Sequence, residues 1–162
     1  LPSWVSADDH ETRTVEGILH ESKVTHEDFP FKPWHTNYDW QLFVRSDKQY
    51  TYLNSPENYD GGAVIECEWD SGFLPSWAWP QRGNRVWVVG RWVYDCGHLE
   101  NGYHRTEIHP PKAVASFRTE AVPLSGNSGP TRANLAMLYI GQKGGGASIS
   151  DFTRHQFPFF TI

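Results

Sequence analysis

The run RVWVVGRWVYD, residues 85–95, constrains the fold of this chain more than any other stretch. On a strand, Val86, Val88, Gly90, Trp92 and Tyr94 share one face and Trp87, Val89, Arg91, Val93 and Asp95 the other, so both faces are largely apolar. Such a strand belongs inside a sheet, not at its edge. Gly90 in its middle predicts a sharp bend of the kind that closing a small barrel requires.

The segments on either side repeat the theme. TVEGILHESKV (14–24) is a broken alternation with Gly17 inside it, the pattern of a strand that bends or bulges. DWQLFVRSD sets Trp40, Leu42 and Val44 against Gln41, Phe43 and Arg45, a strand of period two. Residues 50–60 carry Asn54, Pro56 and Asn58 and read as a connection with a helical turn; after Gly61-Gly62, AVIECEWD makes a third strand. HRTEIH reads as a strand that Pro110-Pro111 ends, because proline has no N–H to give a ladder. KAVASFRTEAV reads as a further strand, with a short helix as the alternative, and the tail, NLAMLYIG and ASISDFTRHQFPFFTI around a loop at Lys143–Gly146, adds two more. Two loops rich in Pro and Trp, DFPFKPWHTNYD and SGFLPSWAWPQRGN, interrupt the strands. The expected architecture is all-β: an antiparallel barrel or sandwich forming a single domain over 1–162, its core at about 14–118 and extra C-terminal strands at about 119–162.

Composition narrows the function classes. At 162 residues the chain can bury a core without help from disulfides or metal. Its formal charge of −5 and the lack of a basic stripe argue against neutralising a phosphate backbone, so no nucleic-acid partner is expected. No apolar run is long enough for a membrane span. The chain starts at Leu1, which fits removal of a signal peptide and an extracellular or periplasmic setting, and equally fits a trimmed fragment. Cys67 and Cys96 can be read as one disulfide, which would favour an oxidising compartment, or as two unconnected thiols.

Between Val15 and Phe117 the chain resembles an oligonucleotide/oligosaccharide-binding (OB) barrel: a first strand containing glycine, a strand opening on Asp-Trp, and NRVWVVGRW with its V-x-V-x-G bend. From Gly90 to Pro111, GRWVYDCGH followed by TEIHPP is similar to uncharacterised, often secreted, bacterial domains that carry Asp-x-x-His and then Glu-Ile-His-Pro. The first resemblance implies a fold that hosts many functions, and the second brings no reaction with it.

The motif is therefore read on its own chemistry. Glu107 and His109 lie one residue apart, so a strand turns both to one side. Asp95 and His98 flank Cys96-Gly97 where the preceding strand is expected to end, and the glycine permits a tight path that returns His98 over the sheet. Imidazole with carboxylate suits a divalent metal, zinc foremost, or a proton-transfer pair. His35 and Asp39 in WHTNYDW are candidates to complete the set from another loop. Against these stands a structural reading in which His98 caps a turn, Glu107 pairs with Arg91 or Arg105, and Asp95 accepts backbone N–H bonds.

Aromatic loops supply a rival function. Trp34, Trp77 and Trp79 are placed to stack on a glycan or another planar extracellular ligand, or else to plug the barrel ends. Other constellations are weaker. No serine sits in a G-x-S-x-G elbow, the glycine loop near Lys143 lacks the order of a phosphate cradle, and Glu66 with Glu68 is what any E-x-E strand provides. The sequence thus points to a binding or accessory β-domain, with metal-dependent hydrolysis through Asp95, His98, Glu107 and His109 as the alternative and a homo- or hetero-oligomer left open.

Overall fold

The alternating runs form the strands expected of them, and five of these close into a ring. The computed structural model describes residues 4–10, 12–25, 39–69, 79–100, 103–122, 131–140 and 160–161. The strands are β1 (Trp4–Ser6), β2 (Arg13–Thr25), β3 (Asp39–Ser46), β4 (Val64–Trp69), β5 (Arg85–Glu100), β6 (Tyr103–Val122), β7 (Thr131–Ile140) and β8 (Phe160–Thr161). Their order is β1-β5-β2-β3-β4-β6-β7-β8, and a further β5–β6 pairing joins β5, β2, β3, β4 and β6 into a closed barrel. That closed five-stranded arrangement is compatible with an OB-like fold. All pairings are antiparallel except β4 with β6, which is parallel at Glu66↔Glu107 and Cys67↔Ile108. A 3-10 turn (Lys48–Leu53) and a short helical turn (Tyr59–Gly62) occupy the β3–β4 connection, as the sequence indicates. Among the described residues no helix is long and apolar enough to cross a membrane.

One face of each barrel strand fills the interior. Val15, Leu19, Leu42, Val44, Ile65, Val88 and Ile108 are fully buried there, an even number of residues apart along their strands where they share one. Each such side chain contributes about 1.5–3 kcal/mol relative to exposure. Trp40 sits among rings, its centroid 6.3 Å from Trp69, 6.3 Å from Trp79 and 5.4 Å from Tyr139. Trp79 is partly buried against the core and also borders a cleft with His20, Glu21 and Ser22. Trp34 and Trp77 lie outside the described residues.

Two glycines are required by close approach. A Cβ on Gly90 would come within 2.5 Å of the Pro110 carbonyl oxygen and 2.6 Å of Pro111 Cα, and one on Gly17 would lie 2.0 Å from the Arg45 carbonyl oxygen. The bend expected at Gly90 is where β5 presses on β6, with pairing slipping between Gly90↔Pro111 and Trp92↔Ile108. The bulge expected in the first long strand lies just beyond Gly17, between Leu19 and Glu21.

Two sequence expectations need correction, and one strand was not foreseen. β6 does not end at Pro110-Pro111 but runs through both, because the prolines sit at the register slip, where a missing N–H breaks no regular ladder. The His109–Pro110 peptide is cis. Nor does β5 end at Asp95. It continues to Glu100, and the Asp-Cys-Gly-His segment is an irregularity inside the strand, between the pairs Tyr94↔Thr106 and Leu99↔His104. Finally β1, three residues long, pairs with β5 at Trp4↔Asp95 and has no sequence signature of its own. The cysteines are both free thiols: Cys67 points into the core and Cys96 is half-buried on the irregular part of β5.

Candidate metal centre

The parallel joint between β4 and β6 builds the centre. Cys67 and Ile108 point into the core, so strand alternation turns Glu66, Glu68, Glu107 and His109 outward, onto the opposite face of the same strands. That face is nevertheless buried, with all four residues less than a tenth exposed. Glu68, Glu107 and His109 each offer one ligand atom, and the three atoms lie within 4.8 Å of one another. His109 Nδ1 is 3.3 Å from Glu107 Oε2. Two ligands bound about 2.1 Å from a tetrahedral zinc stand roughly 3.4 Å apart, so this pair is already at coordination spacing.

β3 supplies a fourth group. Gln41 stands opposite Glu68 in the β3–β4 ladder, and its Nε2 donates to Glu68 Oε2 at 3.3 Å. The amide is 3% exposed, and its Oε1 has no hydrogen-bond partner among the described residues. A buried carbonyl oxygen left without a donor is costly, and a cation or its bound water would relieve it. The Trp4 ring, brought by β1, packs on His109 with centroids 4.3 Å apart.

The electrostatics are those of crowded acids. Burial pushes the Glu68 carboxyl up to about 9; Glu66, Glu107 and Asp39 add to the rise, and His109 opposes it. Glu66 is pushed up to about 8, again by burial first and then by Glu107, with Arg105 and Lys23 opposing. Glu107 is raised by burial and by Asp95, and lowered by its contact with His109. Several carboxylates in a dry site cannot all ionise unless something positive joins them. A divalent ion between Glu68 and Glu107 would cancel that pair of charges, and oxygen plus imidazole donors suit zinc or manganese.

The residues singled out from sequence fare differently. Glu107 and His109 share a face and touch, as their spacing requires. Asp95 is buried on the same side, near enough to Glu107 to raise its pKa. It also accepts the Gly97 N–H at 2.8 Å and lies 3.9 Å from Arg105, which is the turn-forming role weighed for it. Neither arginine considered as a partner for Glu107 takes that place; Arg105 lies over the Tyr59 ring at 4.6 Å. Asp39 opens β3, fully buried, and acts on Glu68 through its charge; it reaches the centre from a strand and not from a loop. The side chain of His98 and all of His35 lie outside the described residues.

Sequence reasoning passed over Glu68 and Gln41. The available signal was IECEW itself: glutamates alternating with Ile65, Cys67 and Trp69 in a strand buried on both faces. Comparison with family models, curated proteins and solved structures returns no match to this chain. The functional reading therefore rests on the geometry alone.

Proposed function

We propose that this protein is an exported binding or accessory domain of OB-like type, built around a divalent-cation site in which Glu68, Glu107 and His109 hold the ion. Zinc is preferred. The observation that carries the reading is the convergence of those three ligand atoms within 4.8 Å in a buried setting. Gln41 Oε1, without a hydrogen-bond partner among the described residues, supports it, as a further ligand or as the acceptor for a metal-bound water.

A second reading, metal-assisted hydrolysis, has one observation in its favour. Glu66, paired with Glu107 across the β4–β6 joint and buried on the same face as Glu68, is a carboxyl placed beside the ion that is able to carry a proton. The burial of all four residues weighs the other way, because a hydrolytic site must admit both water and substrate.

The test is metal analysis and calorimetric zinc titration of tag-free protein. The expected result is one tightly held zinc per chain, lost in the Glu107→Gln/His109→Ala double variant while circular dichroism shows the barrel intact. Absence of stoichiometric metal, with no thermal shift on adding zinc or manganese, would overturn the proposal. Zinc-dependent turnover of simple ester or phosphodiester substrates that disappears in Glu66→Gln, with metal still bound, would move the assignment to the hydrolase.

A further inference from the structure

β5 and β6 carry the acids on one face, and on their other face they border a cleft of about 720 Å³. Alternation makes this division: Asp95, Glu107 and His109 lie on the cation side, and Trp92, Tyr94, His104 and Thr106 line the cleft, with Tyr52 and Glu57 from the β3–β4 connection. The Trp92 ring is 6.4 Å from Tyr94 at an interplanar angle of 34° and 6.4 Å from Tyr52 at 77°. Tyr52 and Tyr94 are 56% and 39% exposed, so aromatic surface faces solvent in a depression rather than on a dome.

The floor is fixed. Trp92 Nε1–H donates to the Leu53 carbonyl at 3.0 Å, and Thr106 Oγ1 donates to the same carbonyl at 2.6 Å. Asn54 donates to the Gly62 carbonyl and accepts from Ser46, while Ser55 Oγ donates to the His104 carbonyl. With these atoms engaged, the groups left for a ligand are the ring faces, the phenols, the Glu57 carboxylate and the His104 ring, whose Nδ1 already contacts the Asp95 carbonyl at 3.1 Å. Among the described residues no lysine or arginine lines the cleft, and none of those lining groups complements a phosphate, sulfate or uronate.

From this lining we infer that the cleft is a carbohydrate site for a neutral saccharide. The C–H faces of the sugar lie on Trp92, Tyr94 and Tyr52, and its hydroxyls bond Glu57 and His104. Rigid rings that offer apolar area with little entropy to lose, beside a few convergent polar groups, form the chemistry that such a ligand requires. The site stands independently of the cation centre.

The experiment is calorimetric titration with chitohexaose, cellohexaose, xylohexaose and maltohexaose, with and without chelator. At least one is expected to bind saturably, unchanged by chelator, and to be weakened roughly tenfold in Tyr94→Ala and in Tyr52→Ala, the loss of one stacking contact. Both residues are exposed, so unfolding temperatures should match the wild type. Glu57→Gln should weaken binding without altering the aromatic contacts. Failure of all four sugars, or affinity unchanged in Tyr94→Ala, overturns the inference; so does saturable binding of choline or a proline-rich peptide in place of any sugar. Loss of sugar binding in chelator would overturn its independence from the cation centre.

Discussion

Glu68→Gln separates two demands that the cation centre makes on the same side chain. In the folded protein the carboxyl is pushed up to about 9, by burial first and then by Glu66, Glu107 and Asp39. In an unfolded chain it titrates near about 4.3. Between those values the folded state keeps a proton that the unfolded state has released. The contribution to stability is therefore complete below the unfolded value and is lost as pH rises toward the folded one. The slope is about 1.4 kcal/mol per pH unit per proton, so from pH 5.5 to 7.5 this one group costs the cation-free barrel about 3 kcal/mol. Glutamine keeps the shape and does not titrate. Urea unfolding followed by tryptophan emission in chelator should show the variant gaining on wild type by about 2–3 kcal/mol over that interval, the lower figure allowing for a proton shared with Glu66 and Glu107. With zinc present the order should reverse, because only the wild type gains the linkage stabilisation of a bound ion. Parallel pH curves for the two proteins in chelator would refute the reasoning, and so would a variant that zinc stabilises as strongly as wild type.

Zinc affinity measured in buffers of different ionisation enthalpy should rise about tenfold per pH unit from 5.5 to 7.5, since binding at Glu68 and Glu107 must expel at least one proton; a flat profile would place the ion elsewhere. Gly90→Ala should destabilise by about 1–3 kcal/mol, read from its urea midpoint, because the new methyl meets the Pro110 and Pro111 backbone, which has no flexible end to yield. Leu42→Ala, which empties part of the fully buried interior, should cost about 2–5 kcal/mol in the same assay, and a value near zero would mean that β3 does not face the core as described.

Local pattern carried much of the barrel. The alternation of 85–95 gave both a strand and its central place, Gly90 gave the bend, and one-residue spacing put Glu107 beside His109. These features depend only on neighbours in the chain. Long-range pairing was not legible. Nothing within IECEW says that β4 lies parallel to β6, and without that pairing Glu68 is one more glutamate on a strand. Prolines 110 and 111 signalled an end only because the register slip that accommodates them is set by β5. Trp79 is ambiguous for a similar reason, since a tryptophan in a loop reads alike whether it meets solvent or, as here, Trp40. The cleft depends on rings from two distant segments, Tyr52 before β4 and Trp92 and Tyr94 on β5, which no single stretch reveals.

The joint between β4 and β6 has a mechanical consequence. Two register pairs hold it, against six between β3 and β4, so the ring is sewn shut by its shortest seam. Glu68 stands on one side of that seam and Glu107 and His109 on the other. An ion clasped among them would act as a rivet from the outside, and amide exchange along Glu66–Glu68 and Glu107–His109 should slow most when it is driven home.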